Sequence, residues 1–441
     1  MIGPLPPPMT GLSKALDSIL RSPVCAEQFE FTVLDLSQLY TVSGGGLTFE
    51  KIAGLFKLIR QTRKLAKSGS VDVFYLTNAQ STVGAVRDLF ILHILGREKK
   101  KRNYKILVHL HGGSFHRLYL RSNPVLQLLM RKKYACVDRA VVLGEALKDM
   151  FKGLVPDSRV SVIPNCVDDE VLPDDSVLAE KITSFESGRT LRVLYLSNMI
   201  PEKGYPDVLD AAELCLKQGR DISFVFAGAF YSEKEKAEFQ NRVDELNREF
   251  SSCGSEAAPA KLAGGGVASP VTAGCADNIS ENRESTDSTG SSDNTNSTGS
   301  METALPFPPI RYLGAVTGAE KKKLLSESDL FVLPTYYPHE GQPITIIEAM
   351  SAGMPVICTD HAGISDLISD PENGCFVPAR SPEKIAEKIC ALGCDRKRMQ
   401  AMAQNNREKV MAQFREKNYI DRIVELFSAA AGDRFPAKTT Q

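Results

Sequence analysis

The stretch DLFVLPTYYPHEGQPITIIEAMSAGMPVICTDHAG, residues 329–363, decides the fold of this 441-residue chain. One apolar run ends at Pro334, a polar loop follows, and a second apolar run begins after Pro355. Pro343 and Gly353 bracket the segment between them, because proline favours the first helical position and glycine the position just past the end. The stretch therefore predicts a strand, a short helix with Pro343 at its first position, and a second strand.

Apolar runs alternate with helical patterns through most of the chain. Strands are predicted at 29–36, 71–77, 104–111, 139–144, 160–165, 191–197, 222–228, 310–314, 329–334 and 354–360. Helices are predicted at 11–22, 48–67, 123–135, 206–219, 232–250, 318–327, 343–352 and 382–393. This alternation predicts an α/β protein with two doubly wound parallel sheets, and the acidic, loop-like segment 166–190 marks the boundary between them.

Composition favours a globular protein, with 43% hydrophobic and 24% charged residues. The net charge is −1, yet residues 1–160 hold 24 Lys and Arg against 12 Asp and Glu, so the two halves are expected to face different partners. The ten cysteines show no CxxC spacing, which predicts reduced thiols in the cytoplasm. We expect neither a signal peptide nor a transmembrane helix. Residues 251–306 are rich in Ser, Thr, Gly and Asn, and are predicted to be a disordered low-complexity insertion.

The predicted helix after residue 342 points its N-terminus at the edge where doubly wound sheets bind ligands. Its free N–H groups, together with those of Gly341 and Gln342, can hold anionic oxygens. A carboxylate beside such an anion site is unfavourable, so Glu340 is expected to contact sugar hydroxyl groups rather than phosphate. Glu348, about two turns into the helix, can accept hydrogen bonds from a ribose diol.

This stretch resembles the E-x(7)-E signature of retaining GT-B glycosyltransferases, with Glu340 and Glu348 as the glutamates. The resemblance is to the glycosyltransferase family four type, in its branch of bacterial exopolysaccharide and lipid-linked glycan enzymes. It implies two Rossmann-like domains facing each other across a cleft. Residues 1–180 would bind the acceptor, 190–415 the nucleotide-sugar donor, and 416–441 would form a C-terminal helix and tail.

Three further segments carry the resemblance. In LYLSNMIPEKGYPDVLDAA, Lys203 would reach the donor diphosphate, although Asn198 stands where the family often has arginine. In HLHGGSF, residues 109–115, His111 would bind a donor-sugar hydroxyl, whereas His109 is expected to be structural. GPLPPPMTGLS, residues 3–13, resembles the loop after the first strand, where Gly11 would approach the donor.

VIPNCVDDEVL, residues 162–172, resembles the family's interdomain turn and is expected to shape the cleft. The residues expected to be catalytic are His111, Lys203 and Glu340. The donor-binding residues are expected to be Gly11, Asn198, Lys203, Gly341, Gln342, Pro343, Ile344 and Glu348. We expect no metal site, no cofactor beyond the nucleotide-sugar substrate, and no nucleic-acid partner.

The function implied is retaining transfer of a sugar from a nucleotide-sugar, with a UDP-sugar favoured, to a glycan or lipid-linked acceptor. Two alternatives stay open. One is another GT-B enzyme, such as a phosphorylase or a sugar-nucleotide epimerase. The other is a non-catalytic nucleotide-sugar-binding or scaffold protein, which the nearly missing first strand and Asn198 would suit.

Basic residues follow apolar runs at 90–102 and 119–134 in the first half. A basic, apolar surface of this kind suits an anionic membrane, where each Lys or Arg can add about 1 kcal/mol. Two core helices with solvated ends would give the same pattern. We therefore expect a cytoplasmic protein that associates peripherally with the inner face of a membrane.

Overall fold

The computed structural model describes residues 1–7, 10–37, 49–185, 188–252 and 308–432. Residues 253–306 of the predicted insertion, together with Pro8 and Met9 of the proline-rich loop, lie outside this range. The described residues form two six-stranded sheets, in each of which all strand pairs are parallel. The predicted α/β architecture with two parallel sheets is confirmed.

The first sheet has the strand order β2-β1-β3-β4-β5-β6. Its strands are β1 (Ile2–Gly3), β2 (Leu34–Asp35), β3 (Val73–Asn78), β4 (Lys105–Leu110), β5 (Arg139–Val142) and β6 (Val160–Val162). The helices of this half are α1 (Gly11–Arg21), α2 (Pro23–Gln28), α3 (Phe49–Ser68), α4 (Thr82–Lys99), α5 (Phe115–Arg121) and α6 (Pro124–Tyr134). The nearly missing first strand is a two-residue strand in the interior of the sheet, where it pairs with both β2 and β3.

The second sheet has the strand order β12-β11-β10-β7-β8-β9. Its strands are β7 (Leu191–Leu196), β8 (Ile222–Ala227), β9 (Ile310–Tyr312), β10 (Leu330–Leu333), β11 (Val356–Cys358) and β12 (Gly374–Phe376). The remaining helices are α7 (Asp175–Ser184), α8 (Tyr205–Lys217), α9 (Glu233–Ser252), α10 (Gly318–Glu327), α11 (Ile344–Ser351), α12 (Pro382–Cys394), α13 (Arg396–Gln413) and α14 (Glu416–Ala431).

The segment 166–190 is not the loop that its acidic composition predicts, because it contains α7. This helix packs against α10 and α13 of the second half, although residues 175–180 fall in the range predicted for the first domain. Its Lys181 is buried and donates to the carbonyl oxygens of Leu325 and Ala352, at 3.1 and 2.6 Å. Those carbonyls lie at the C-terminal ends of α10 and α11, where a helix leaves its last carbonyls unpaired. Lys181 thus caps two helices at once.

The last helix, α14, returns to the first half of the molecule. Its buried residues Tyr419, Ile423 and Phe427 join a hydrophobic cluster with Leu16 of α1 and Tyr75 of β3. A parallel bridge between Val167 and Arg415 lies beside this crossing. The chain therefore passes between the two halves twice, and both passages lie on the same side of the cleft.

Candidate active site

The carboxyl ends of both sheets face one cleft, and the N-terminus of α11 lies in one of its walls. Pro343 is the residue before the first helical turn of α11, not the first helical residue as predicted, and its φ is −65°. The helix then ends at Ser351, and Gly353 has a φ of +62°, which a glycine adopts without strain. Glu348 consequently lies just over one turn into the helix rather than about two.

Glu340 lies in the loop before α11 and is 6% exposed. Its Oε2 accepts from Lys203 Nζ at 2.9 Å and from Thr335 Oγ1 at 3.2 Å. The Lys203 ammonium group also lies 5.3 Å from the centre of the Tyr337 ring. Lys203 comes from the loop after β7, so the segments that carry these two predicted residues meet in space. A cation and an anion thus stand side by side at the N-terminus of α11.

Glu348 is 1% exposed, and only one of its two carboxylate oxygens has a partner in the described residues. Its Oε1 lies 2.7 Å from Lys321 Nζ of α10 and 3.9 Å from Lys14 Nζ of α1. Its Oε2 has no hydrogen-bond partner among the residues that the structure describes. A buried acceptor without a partner is costly, so this oxygen is suited to receive a hydroxyl donor from a ligand.

Four other donor-binding candidates lie in three different places. Gly11 and Ile344 lie together, because a Cβ on Gly11 would stand 3.6 Å from Ile344 Cδ1. Gln342 instead links the two halves, since its Oε1 accepts from the Asn165 backbone N–H at 2.8 Å. Asn198 is exposed and donates to the Tyr231 hydroxyl at 3.0 Å.

His111 follows β4 and faces this wall from the first half of the molecule. Burial lowers the pKa of His111 to about 4, so the imidazole is neutral at pH 7. Its Nδ1 is buried and has no partner among the described residues. His109 lies deeper, with its ring nitrogen 2.5 Å from the Tyr75 hydroxyl. A neutral imidazole can exchange hydrogen bonds with a sugar hydroxyl but supplies no positive charge.

The loops of the two halves touch where these residues meet. A Cβ on Gly113 would stand 2.2 Å from the Glu340 carbonyl oxygen, so only glycine fits there. Beside it, Ser114 Oγ lies 2.6 Å from His339 Nδ1, and the same hydroxyl donates to Gln80 Oε1 at 3.0 Å. The cleft is therefore narrow at this point, and no water-sized layer separates the two loops.

Nothing in the sequence points to Lys14, Lys321 or the contact between Ser114 and His339. Lys321 lies in the run Lys321–Lys322–Lys323, which has the composition of an ordinary solvated helix face. Lys14 is a single basic residue more than 300 positions from Glu348 in the sequence. No local pattern marks either residue, because each acts through a contact with a distant segment.

No group of three or more His, Cys, Asp or Glu side chains in the described residues could hold a metal ion. Within the same ranges, no helix is both long and apolar enough to cross a membrane.

Two segments of the chain match known glycosyltransferase families. Residues 33–171 match the family Glycosyltransferase Family 4, and residues 302–409 match the family Glycosyl transferases group 1. The chain is 30% identical over 115 residues to a putative colanic acid biosynthesis glycosyltransferase, WcaL, of Escherichia coli. It is 36% identical over 101 residues to a putative teichuronic acid biosynthesis glycosyltransferase, TuaC, of Bacillus subtilis. These matches cover 25% and 23% of this chain, and 28% and 25% of the two relatives.

Solved structures resemble the whole chain more broadly. HepE of Anabaena in complex with UDP superimposes with a TM-score of 0.58 and 15% identity, covering 85% of this chain and 82% of that one. Sucrose-phosphate synthase of Thermosynechococcus elongatus gives a TM-score of 0.56 and 13% identity, covering 92% and 85%. The chain has the two-domain GT-B fold of these proteins.

Proposed function

We propose that this chain, whose two halves match glycosyltransferase families, transfers a sugar from a nucleotide-sugar to a glycan or lipid-linked acceptor with retention of anomeric configuration. One observation carries the proposal. Lys203 pairs with Glu340 in the loop before α11, Glu348 of α11 keeps one oxygen without a partner, and the backbone at Gly341 lies against the His111 carbonyl. These contacts support the proposal of a diphosphate site, a ribose acceptor and a sugar-facing wall around one cleft.

Lys203 and the first turn of α11 would hold the donor diphosphate. The α11 N–H groups lack partners within the helix, and the helix dipole favours negative charge there. When the bond from the sugar C1 to the phosphate oxygen breaks, negative charge builds up on that oxygen, and a fixed cation stabilises it. The acceptor hydroxyl then forms the new bond to C1, and its proton passes to the departing phosphate oxygen.

Glu348 would bind the ribose and Glu340 the transferred sugar. Glu348 Oε2 is buried and open to a hydroxyl donor. Glu340 already shares its Oε2 with Lys203, so a sugar hydroxyl would enter a site in which the two charges offset each other. His111, being neutral, would orient another hydroxyl group of the sugar from the opposite wall.

The donor is proposed to be a UDP-sugar, in line with the UDP complex of the similar HepE structure. Release of nucleotide from UDP-, GDP- and ADP-sugars, measured with and without an acceptor glycan, tests this. We expect release from a UDP-sugar to rise on addition of acceptor, with the product keeping the anomeric configuration of the donor. Release that never responds to any acceptor would favour a binding protein, and conversion of one UDP-sugar into another would favour an epimerase.

The transfer is proposed to need no metal, because Lys203 and the α11 N-terminus supply positive charge to the diphosphate. We expect the rate to survive excess EDTA. Complete loss that Mg²⁺ or Mn²⁺ restores would refute this part of the proposal.

A further inference from the structure

Exposed apolar side chains gather on one helix layer of the first domain. Of the thirteen large hydrophobic side chains that are exposed in the described residues, nine lie on α3, α4, α5 and α6. They are Ile52, Phe56, Val83, Val86, Phe90, Leu120, Val125, Leu128 and Leu129, and their exposed fractions run from 38% to 69%. Single exposed apolar residues are ordinary, whereas a cluster of this size marks an interaction surface.

The helices α3, α4 and α6 form one continuous layer. Helix α4 packs against both α3 and α6, and α5 packs against α6. At the junction of α4 and α6, Lys133 Nζ lies 2.8 Å from His93 Nδ1. We call the outward side of this layer the α3–α4–α6 face.

Each of the three helices divides its outward side in the same way. The exposed apolar residues lie in the N-terminal half, as Phe56 does on α3, Phe90 on α4 and Leu128 on α6. Most exposed basic residues occupy the C-terminal half or the turn that follows it: Arg60, Arg63, Lys64, Lys67, Arg97, Lys100, Lys101, Arg102, Arg131 and Lys132. The exceptions, which lie nearer the apolar side chains, are Lys57 of α3 and Arg117 and Arg121 of α5. Three parallel helices with the same polarity give the face an apolar end and a basic end.

The basic end has little acidic charge to offset it. Lys64, Lys100 and Lys132 form no ion pair with any residue inside the described ranges. Asp88 of α4 is fully buried against Arg87, and Asp138 is engaged by Lys99 at 2.5 Å. Lys99 is therefore part of the internal structure rather than of the free basic surface. A groove of about 610 Å³ between α4 and α6 is lined by Arg97, Lys100, Lys132 and Lys133.

The direction of the helices relates this face to the cleft. Helix α4 follows β3, and the loop before α5 and α6 follows β4, so all of them begin at the carboxyl edge of the sheet. His111 lies at the same edge. The apolar end of the α3–α4–α6 face is consequently the end nearest the cleft, and the basic end is farther from it.

We propose that the α3–α4–α6 face docks on an anionic lipid bilayer, with its apolar end entering the acyl boundary and its basic end on the phosphate headgroups. Amphipathic helices bind membranes by this combination of apolar burial and attraction to anionic lipid. Docking in this orientation would turn the mouth of the cleft towards the bilayer, so that a lipid-borne acceptor could reach it. The docking itself depends on this surface alone and not on the proposed transferase activity.

Co-sedimentation of the full chain with vesicles tests the proposal. The vesicles are phosphatidylcholine alone or phosphatidylcholine with phosphatidylglycerol. We expect binding to the anionic vesicles only, with loss of binding as salt rises from about 0.1 M to about 1 M, where the screening length falls from about 10 to about 3 Å. Equal binding to both kinds of vesicle, or to neither at low salt, would overturn the proposal.

Two triple variants separate the two ends of the face. Lys64→Ser, Lys100→Ser and Lys132→Ser together should weaken binding about 100-fold, because each basic residue near an anionic leaflet contributes a factor of about five. The matched control is Lys234→Ser, Lys323→Ser and Lys397→Ser, which changes exposed lysines of the second domain and should bind as the unmodified chain does. If the control loses as much binding as the variant of the α3–α4–α6 face, only the total charge of the chain matters, and the proposal of a docking face is overturned.

For the apolar end, Phe56→Ser, Phe90→Ser and Leu128→Ser together should weaken binding to the anionic vesicles at low salt, because this end would no longer enter the acyl boundary. Its control is Val24→Ser with Val177→Ser, at exposed apolar positions outside the face. Circular dichroism and thermal midpoints verify folding, and nucleotide release from the donor should stay unchanged in all four variants. If the chain dimerises and the apolar variant dissociates the dimer while no vesicle binding occurs, the face serves a second copy of the chain, and the membrane proposal fails.

Discussion

The two walls of the cleft handle charge differently. On the second domain, Glu340 and Glu348 each face a lysine from another segment, at 2.9 and 2.7 Å. On the first domain, His111 is neutral because burial lowers its pKa to about 4, and Gly113 offers only backbone. Lys14 of α1 is the exception on the first domain, at 3.9 Å from Glu348. Under the proposed function, the ion pairs of the second domain would hold the charge of the donor, whereas His111 and Gly113 would orient the sugar and shape the cleft. Substitutions in the two walls should therefore differ in size and in kind.

The largest effect is expected at Lys203. Lys203→Ala removes a charged contact to the proposed diphosphate and leaves Glu340 without its charged partner, and such contacts contribute about 1.5–3 kcal/mol. We expect kcat/KM to fall between about tenfold and about 100-fold. Lys323→Ala is the matched control, because that lysine is 75% exposed and only loosely paired. A normal rate in Lys203→Ala with an unchanged thermal midpoint would remove Lys203 from the site.

Conservative substitution of Glu348 and of Glu340 should change different kinetic constants. Glu348→Gln keeps the shape but weakens an acceptor for the ribose, so the donor KM should rise about tenfold with a smaller change in kcat. Glu340→Gln disturbs the pair with Lys203 beside the reacting sugar, so kcat should carry most of the loss. Steady-state kinetics with varied donor decide this, with Glu327→Gln on α10 as the control. If both variants change KM and kcat alike, the division of roles between the glutamates is wrong.

The wall formed by the second domain is easier to predict from the sequence than the wall formed by the first. Its main part comes from one continuous stretch of the chain. The strand–helix–strand unit at 329–363 folds locally, and its proline and glycine mark the helix ends within one residue. Lys203 and Glu340 were expected near the donor, and the structure brings them together; their roles stay predictions. The contacts of Lys14 and Lys321 with Glu348 had no such marker, since they join segments remote in sequence. Helices α4 and α7 were missed because a long apolar run and an acidic stretch hide their helical period.

His111 is expected to give a smaller effect than the lysine and the glutamates. His111→Asn removes neutral hydrogen bonds, which contribute about 0.5–1.5 kcal/mol each, so kcat should fall roughly two- to tenfold. Since the pKa of His111 is about 4, its titration should leave the rate flat between pH 6 and 8. A rate that follows a histidine-like titration in this range, and that loses it in His111→Asn, would contradict the lowered pKa.

The lowered pKa of His111 also makes the stability of the fold depend on pH. The folded pKa lies below the ordinary histidine value of 6.5, so the unfolded chain takes up a proton first as the pH falls. The contribution of His111 to stability is present above pH 6.5 and is lost as the pH falls towards 4. Urea unfolding at several pH values should show less loss over this window in His111→Asn than in the unmodified chain. An identical pH dependence in both would indicate that His111 does not contribute.

The smallest effect on activity is expected from replacing residues 254–303, which belong to neither wall of the cleft. Residues 254–303 interrupt the second domain between α9 and β9, and the structure fixes the two ends without them. Asn247 Nδ2 donates to the Ile310 carbonyl at 2.8 Å, and its Oδ1 accepts from the Ile310 N–H at 3.0 Å. Since the end of α9 and the start of β9 are already tied together, a short Gly/Ser linker can join them, and a change in the length of a connection costs little free energy.

We therefore expect replacement of 254–303 to leave the thermal midpoint and the rate of nucleotide release within about twofold of the unmodified chain. Asn247→Ala in the shortened chain is the informative second variant, because it removes both hydrogen bonds at the junction and should lower the midpoint. If the replacement alone collapses the fold or the rate, the tract itself stabilises the second domain or binds a substrate. The second wall would then depend on residues far from its ion pairs.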